Sequence, residues 1–269
     1  MYKLDHIVHF VESPEEAAEG LRSEGLHVVP GGKHEQWGTY NELCYFEESY
    51  IELINIYDQE KFKEASTIPY TLHETYARNQ FENGLTRVAI STTTIEQDAE
   101  QFKRAGYDVI GPDRFSRTRP DGSIVSWQLL HIGDQNNQID LPFFIQWDQP
   151  EEDRVEDMKE RGIIHEHAAG PLQIAEVSYI VSNFEMARIL LQLCRLESTL
   201  KIDEKTNAEV LTIYTPSGNL SFYRPYDDGA VWDVLLENGP GLHTVVLKGA
   251  REEGVLHFQN AIYMFTETY

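Results

Sequence analysis

The chain contains its own pattern more than once, and that repetition limits the folds open to it. Laid over one another without a gap, HIVHFVESPEEAAEGLRSEGLHVVPG from His6 and RVAISTTTIEQDAEQFKRAGYDVIGP from Arg87 match in order as well as in residue type. Glu15/Glu96, Ala18/Ala99, Glu19/Glu100, Gly25/Gly106 and Val28/Val109 are identical. Both copies read strand, cap, helix, glycine stop, strand. Ser13 and Thr94 are helix N-cap types, and Glu16 or Gln97 three residues on predicts a capping box. Gly25 and Gly106 stand where a left-handed residue ends a helix. Short β-like runs follow in each copy: 43–46 and 50–56 in the first, 126–131 and 143–147 in the second. One unit is therefore a strand, a helix and about three strands.

A third copy begins with the strand-like 176–182 and the helix-like 184–196, which turns Met186, Ile189, Leu190 and Leu193 inward. It continues through a hairpin around Ser217-Gly218-Asn219. A fourth copy opens at 242–247, with strands at 255–258 and 262–266 and no room for a full helix. The charged and then small-residue-rich stretch 149–170 reads as a linker between the two halves.

Strand alternation assigns faces. Leu4, His6, Val8 and Phe10 share one face, and Asp5, Ile7, His9 and Val11 the other. Val88, Ile90 and Thr92 would cover the helix, leaving Arg87, Ala89 and Ser91 on the concave side, where the repeat also places His6. Glu52 is the one charge among Tyr50, Ile54 and Ile56, and a carboxylate in such company needs a partner.

Bulk properties remove several classes. A formal net charge of −23 opposes nucleic acid or an anionic membrane surface as partner. No apolar run reaches the roughly 20 residues that span a bilayer, no secretory leader pattern is present, and Cys44 and Cys194 read as free thiols. A cytoplasmic chain is expected. Gly-rich phosphate loops, GxSxG and HExxH are missing.

The segments LDHIVHFV (4–11), GGKHEQWGTYNELCYF (31–46), YIELINI (50–56), LPFFIQWD (141–148) and HAAGPLQIAEVSYIV (167–181) resemble the vicinal oxygen chelate superfamily, which includes glyoxalase I and the extradiol dioxygenases. The likeness is nearest to its uncharacterised glyoxalase-like domain branch. It implies an α+β fold of tandem βαβββ modules curled around a cup, with residues 1–148 as the glyoxalase-like domain (modules 1–58 and 85–148) and 171–269 as a degenerate pair.

In that superfamily a divalent metal is held by His from the opening strand and Glu from the closing strand of each module, which the resemblance carries onto His6 and Glu52. In the second module Arg87 takes the His position and Gln146 the Glu position. Two protein ligands rarely hold a catalytic ion, and a guanidinium never ligates. Three readings stay open: a metal at His6 and Glu52 with His34 or His131 as third ligand, a bidentate Arg87–Glu52 ion pair in place of the metal, and Arg87 free to clamp a ligand anion. Without metal, Glu52 or His6 remains a base for proton transfer. The connecting stretch 31–41 offers Trp37 for stacking and His34, Thr39 and Asn41 for hydrogen bonds. His9 is read as structural, under the helix or at the sheet edge, and His165 and His167 as a solvated loop. His243 takes the opening-strand position of the fourth unit, with Ser221 where a carboxylate would stand in the third. The implied function is a small-molecule enzyme of glyoxalase or dioxygenase type, a lyase or oxidoreductase, with catalysis at His6, Glu52 and Arg87. The alternative is a non-catalytic binding or sequestering protein. The expected partner is a small-molecule ligand, with a homodimer left open.

Overall fold

The computed structural model describes residues 1–119, 122–134 and 140–267. The first unit is β1 (Lys3–Phe10), α1 (Pro14–Ser23), β2 (Val28–His34), β3 (Thr39–Phe46) and β4 (Ser49–Ile56). Two short helices follow, α2 (Gln59–Ala65) and α3 (Leu72–Arg78). The second unit is β5 (Gly84–Ser91), α4 (Ile95–Arg104), β6 (Asp108–Thr118), β7 (Ile124–Gly133) and β8 (Phe143–Trp147). After α5 (Glu151–Glu160) comes the third: β9 (Gln173–Ile180), α6 (Glu185–Cys194), β10 (Ser198–Asp203), β11 (Ala208–Ile213) and β12 (Asn219–Pro225). Helix α7 (Ala230–Asn238) leads to the fourth, β13 (Gly241–Lys248), β14 (Gly254–Phe258) and β15 (Ala261–Thr266). The fourth unit lacks its helix, as its length requires. The expected linker is more ordered than its composition suggests, because α5 occupies its charged half.

These strands form two mixed sheets, ordered β2-β3-β4-β1-β5-β8-β7-β6 and β10-β11-β12-β9-β13-β15-β14. The tandem βαβββ, α+β reading is therefore correct. In each unit the first strand lies parallel to the last, β1 on β4 and β9 on β12, so the helix crosses between them. The first sheet curls until its edges approach at Gly32 of β2 and Arg117 of β6. Its convex side, with α1 and α4, joins one core shared with the second half: Ile7, Leu21, Val88, Phe102, Val177, Leu190 and Val245 are all in it. Its concave side holds a separate cluster in which α2 and α3 roof the cup, Phe62, Leu72 and Tyr76 packing on Val8 and Phe10. Phe10 and Tyr76 stack at 3.6 Å and 7°. None of the described helices is long and apolar enough to cross a membrane.

The caps repeat less faithfully than the strands. Ser13 accepts from the Glu16 amide as expected. Thr94 makes no such bond. Its hydroxyl donates to Asp98 instead, and the first amide of α4, that of Ile95, donates to the side-chain oxygen of Gln146 at 2.9 Å.

Register shows a device that the alternation argument did not contain. The β1–β5 ladder slips between Leu4 and His6, leaving Asp5 unpaired, and again where Val8 faces Arg87 but His9 faces Leu85, leaving out Thr86. The β9–β13 ladder slips in the same way at Ala175 and at His243. Every unit thus carries one bulged residue just before the His6 position. The four counterparts of His6 are His6, Arg87, Glu176 and Thr244, so His243 is a bulge residue rather than the opening-strand ligand position expected for it. Glu52 lies opposite Val8, two residues beyond His6. The same offset puts Phe143 opposite Ala89, Ser221 opposite Ser178, and Met264 opposite Val246. Phe143, not Gln146, is therefore the counterpart of Glu52.

Candidate functional site

The bulge builds the floor of the cup. A regular strand would turn Asp5 to the face opposite His6. Here Leu4 and Ile7 both enter the shared core, and the Asp5 carboxylate lies beside the imidazole, 2.7 Å from His6 Nδ1. Trp147 Nε1–H donates to its other oxygen at 2.8 Å. The Arg154 guanidinium, carried by α5, lies 4.6 Å above the Trp147 ring. Burial opposes ionisation of Asp5, but the hydrogen bond and charge of His6, with help from Arg154 and Trp147, outweigh it and hold the carboxyl below its ordinary range. His6 stacks on Tyr50 at 4.6 Å and 18° and meets the edge of Phe143 at 5.4 Å, so its ring plane is set from two sides. Its Nε2 then stands 3.8 Å from Glu52 Oε2, too far for a direct hydrogen bond.

Glu52 is fixed from the opposite wall. Its Oε1 accepts from Asn41 Nδ2 at 2.5 Å, and Asn41 Oδ1 accepts from Arg117 Nη1 at 3.4 Å. The two glycines of the 31–41 stretch make room for this chain of contacts. A Cβ on Gly31 would sit 2.1 Å from Asn41 Oδ1, and one on Gly32 3.0 Å from the Arg117 stem. Gly32 also has φ +142°, a conformation that side chains resist. The stretch is not the loop that its composition suggested but the β2–β3 hairpin, with Gly32 opposite Asn41.

The cavity enclosed has a volume of about 50 Å³. His6, Glu52, Asn41 and Arg117 line one side, Trp37, Trp127, Trp147 and Phe143 form aromatic walls, and His34 and His73 complete it. Of the residues expected there, His6, Glu52, His34, Trp37 and Asn41 are brought together. Thr39 is buried behind His34, 3.0 Å from its Nδ1, and orients it. Gln146 caps α4 and takes no part in the cavity lining. Burial holds the His34, His73 and His131 imidazoles down at about 3, with Arg117, His73 and His6 adding to the effect on His34 and Arg87 and His73 on His131. All three are neutral near pH 7.

Arg87 does not pair with Glu52. Its guanidinium donates to Thr75 Oγ1 (2.9 Å), Asp140 Oδ1 (3.2 Å) and the Tyr70 carbonyl (2.9 Å), pinning the roof segment that ends in α3 to the sheet. Burial lowers its pKa, with the Asp140 carboxylate acting against that. It neither neutralises the floor carboxylate nor faces the cavity as a clamp.

Sequence reasoning passed over Asp5, His73, Arg117 and Trp147. Asp5 carried a signal in its adjacency to His6, but the bulge that uses it has no sequence signature. His73 and Arg117 arrive from α3 and the far edge of the curled sheet. Two structural histidines also differ from expectation. His167 is buried, accepting from the His27 amide at 2.8 Å and bonding the Tyr45 carbonyl at 3.0 Å, while His165 is exposed as expected. His9 is structural, but its partners are the Tyr263 hydroxyl (2.6 Å) and the Gln259 carbonyl (3.0 Å) of the fourth unit.

Paired βαβββ units around a cup, with His on the opening strand and Glu on the closing one, define a vicinal oxygen chelate protein. The glyoxalase-like domain family model matches residues 4–194, and the chain belongs to that family. Among solved structures, a hypothetical protein from Staphylococcus aureus matches over the whole of both chains at 22% identity and TM-score 0.83. A mutant of 4-hydroxymandelate synthase from Streptomyces coelicolor matches at 12% identity and TM-score 0.55, covering 92% of this chain and 71% of that one. A xylose isomerase-like TIM barrel/4-hydroxyphenylpyruvate dioxygenase fusion protein matches at 12% identity and TM-score 0.50, over 92% of this chain and 36% of that one. At these identities the likeness is one of fold. No curated protein matches the chain.

The superfamily fold implies a divalent metal, and the side chains present do not fit one. Of the four ligand positions, two hold His6 and Glu52, one a guanidinium and one the ring of Phe143. No group of three His, Cys, Asp or Glu side chains among the described residues is placed to hold an ion, so His34 and His131 do not complete the set.

Proposed function

We propose that the cup binds a small carbonyl compound and moves a proton on it without a resident metal, His6 acting as the base. The observation that carries this is the Asp5–His6 pair beside Glu52. When His6 carries its single proton on Nδ1, donated to Asp5, the lone pair of Nε2 faces the cavity beside Glu52, where it can take a proton from a bound ligand. Proton abstraction from carbon next to a carbonyl, isomerase- or lyase-like in outcome, is the chemistry that such a base supports. Oxidoreductase chemistry of the dioxygenase kind finds no equivalent support in the donor set. Arg87 is reassigned to holding the roof. The family includes many enzymes, which agrees with this reading; a cytoplasmic address and the absence of nucleic-acid and membrane partners belong to the same proposal.

The test is deuterium uptake from D₂O into hydroxyacetone and pyruvate, followed by proton NMR in the presence of a chelator. Exchange at least tenfold above the buffer rate is expected, and His6→Gln should abolish it. If neither compound exchanges, the catalytic reading fails. The roofed cavity then serves sequestration, which equilibrium binding without turnover would identify.

A further inference from the structure

The lining of the cavity carries polar atoms with nothing to bond. Arg117 Nε and His73 Nε2 are buried and have no hydrogen-bond partner, and both residues line the cavity. His73 is 4% exposed. Arg117 makes no ion pair among the described residues, and its Nη1 reaches only the neutral amide of Asn41 at 3.4 Å. Arg117 is half-buried, and a guanidinium whose Nε is sealed from water without a hydrogen bond is costly unless an acceptor joins it.

From this, and resting on the reading of the cup as a ligand site, we propose that Arg117 and His73 form a carboxylate subsite and that the ligand is a monocarboxylate of two or three carbons. Charge selects the class. Arg117 supplies the cation, and His73 a neutral imidazole able to donate. The carboxylates of Asp5 and Glu52 already hold partners of their own in His6, Trp147 and Asn41. Volume sets the size. A water needs roughly 10–15 Å³ of such space, so the cavity of about 50 Å³ takes roughly three to five water-sized groups, room for a short acid. A short 2-oxo or 2-hydroxy acid has that size and carries a carboxylate at one end and a proton-bearing carbon at the other.

The experiment compares pyruvate with pyruvamide, equal in shape and different in charge. Each is titrated against the full chain by tryptophan fluorescence and thermal shift. Pyruvate should bind at least tenfold more tightly than pyruvamide. Arg117→Gln should remove that preference, and His73→Leu should reduce it by several fold. Equal affinity for the two compounds, a preference that survives in Arg117→Gln, or no pyruvate binding at tens of millimolar overturns the subsite. The Arg117→Gln result is read only on protein whose circular dichroism and melting are cooperative. Arg117→Lys, which keeps the charge, should retain a preference and guards against misfolding as the cause. The arms separate this inference from the base reading. Exchange on hydroxyacetone without a carboxylate preference sinks the subsite alone. A carboxylate preference without exchange sinks the base alone.

Discussion

Acidification from pH 7.5 to 5.5 should strip this fold of much of its stability, and four histidines set the size of the effect. His9, His34, His73 and His131 are each below 8% exposed. Burial lowers the first to about 4 and the other three to about 3. In the unfolded chain each takes up its proton near the ordinary histidine value of about 6.5. The sign follows from the proton count. Between about 6.5 and 4 the unfolded state binds more protons than the native state, so stability rises with pH and falls on acidification. Each group contributes about 1.4 kcal/mol per pH unit below 6.5, and the four together roughly 5 kcal/mol at pH 5.5. A domain's whole stability is about 5–15 kcal/mol. Asp5, whose carboxyl is lowered from 3.8, acts in the same direction but only below about 4, outside this window. His167, also lowered to about 4 chiefly by burial, adds to the trend.

Urea unfolding at pH 7.5, 6.5 and 5.5 measures this directly, and thermal melts should fall by roughly 10–20 °C across the range. His73→Gln should reduce the slope by about 1 kcal/mol per unit, because one proton-accepting group leaves the unfolded state. Stability unchanged to within about 1 kcal/mol between pH 7.5 and 5.5 would refute the argument. So would imidazole NMR signals that titrate near 6.5 in the folded protein for these four positions.

Two further outcomes test the roof and the lost metal frame. Phe62 is 1% exposed in the cup cluster, so Phe62→Ala should cost about 3–5 kcal/mol in urea unfolding, and a loss under 1 kcal/mol would mean that α2 is not anchored there. Combining Arg87→His with Phe143→Glu restores donors at all four ligand positions, and calorimetry with Co²⁺ should show stoichiometric binding that the unmodified chain lacks; binding by the unmodified chain at micromolar Co²⁺ would contradict the donor count.

How much of this was legible beforehand follows the physics of each signal. The repeat was readable because helix caps, glycine stops and apolar periodicity are local, and the same local rules gave the strands that carry His6 and Glu52. Ladder register was not. A bulge changes which residue faces the cup without changing composition, so Asp5 was placed on the wrong side, Gln146 was taken for the counterpart of Glu52, and His243 for that of His6. The roof was equally hidden, since 59–84 lies between units and its role rests on packing of Phe62 and Tyr76 against Phe10. Arg117 reaches the site only because the sheet curls far enough to bring β6 against β2, a property of the whole sheet and not of any window of residues.

Arg87 stands at one of the superfamily's ligand positions and turns its side chain elsewhere. A divalent ion at the centre of such a cup joins its two modules by ligating one pair of side chains from each. Here the second module's contribution is a guanidinium turned toward α3, where two hydrogen bonds, to Thr75 and the Tyr70 carbonyl, tie β5 to the roof and a third reaches Asp140. Phe143, at the remaining ligand position, packs on His6 and His131 instead of donating electrons. At these positions the two modules meet directly where His6 of the first packs on Phe143 of the second. On the proposed reading His6 and Glu52 are then free of an ion, and the bulged Asp5 orients the His6 ring. In the proposed reading an ion-free cup and an oriented histidine belong together, each explaining the residue that the other would leave without a role.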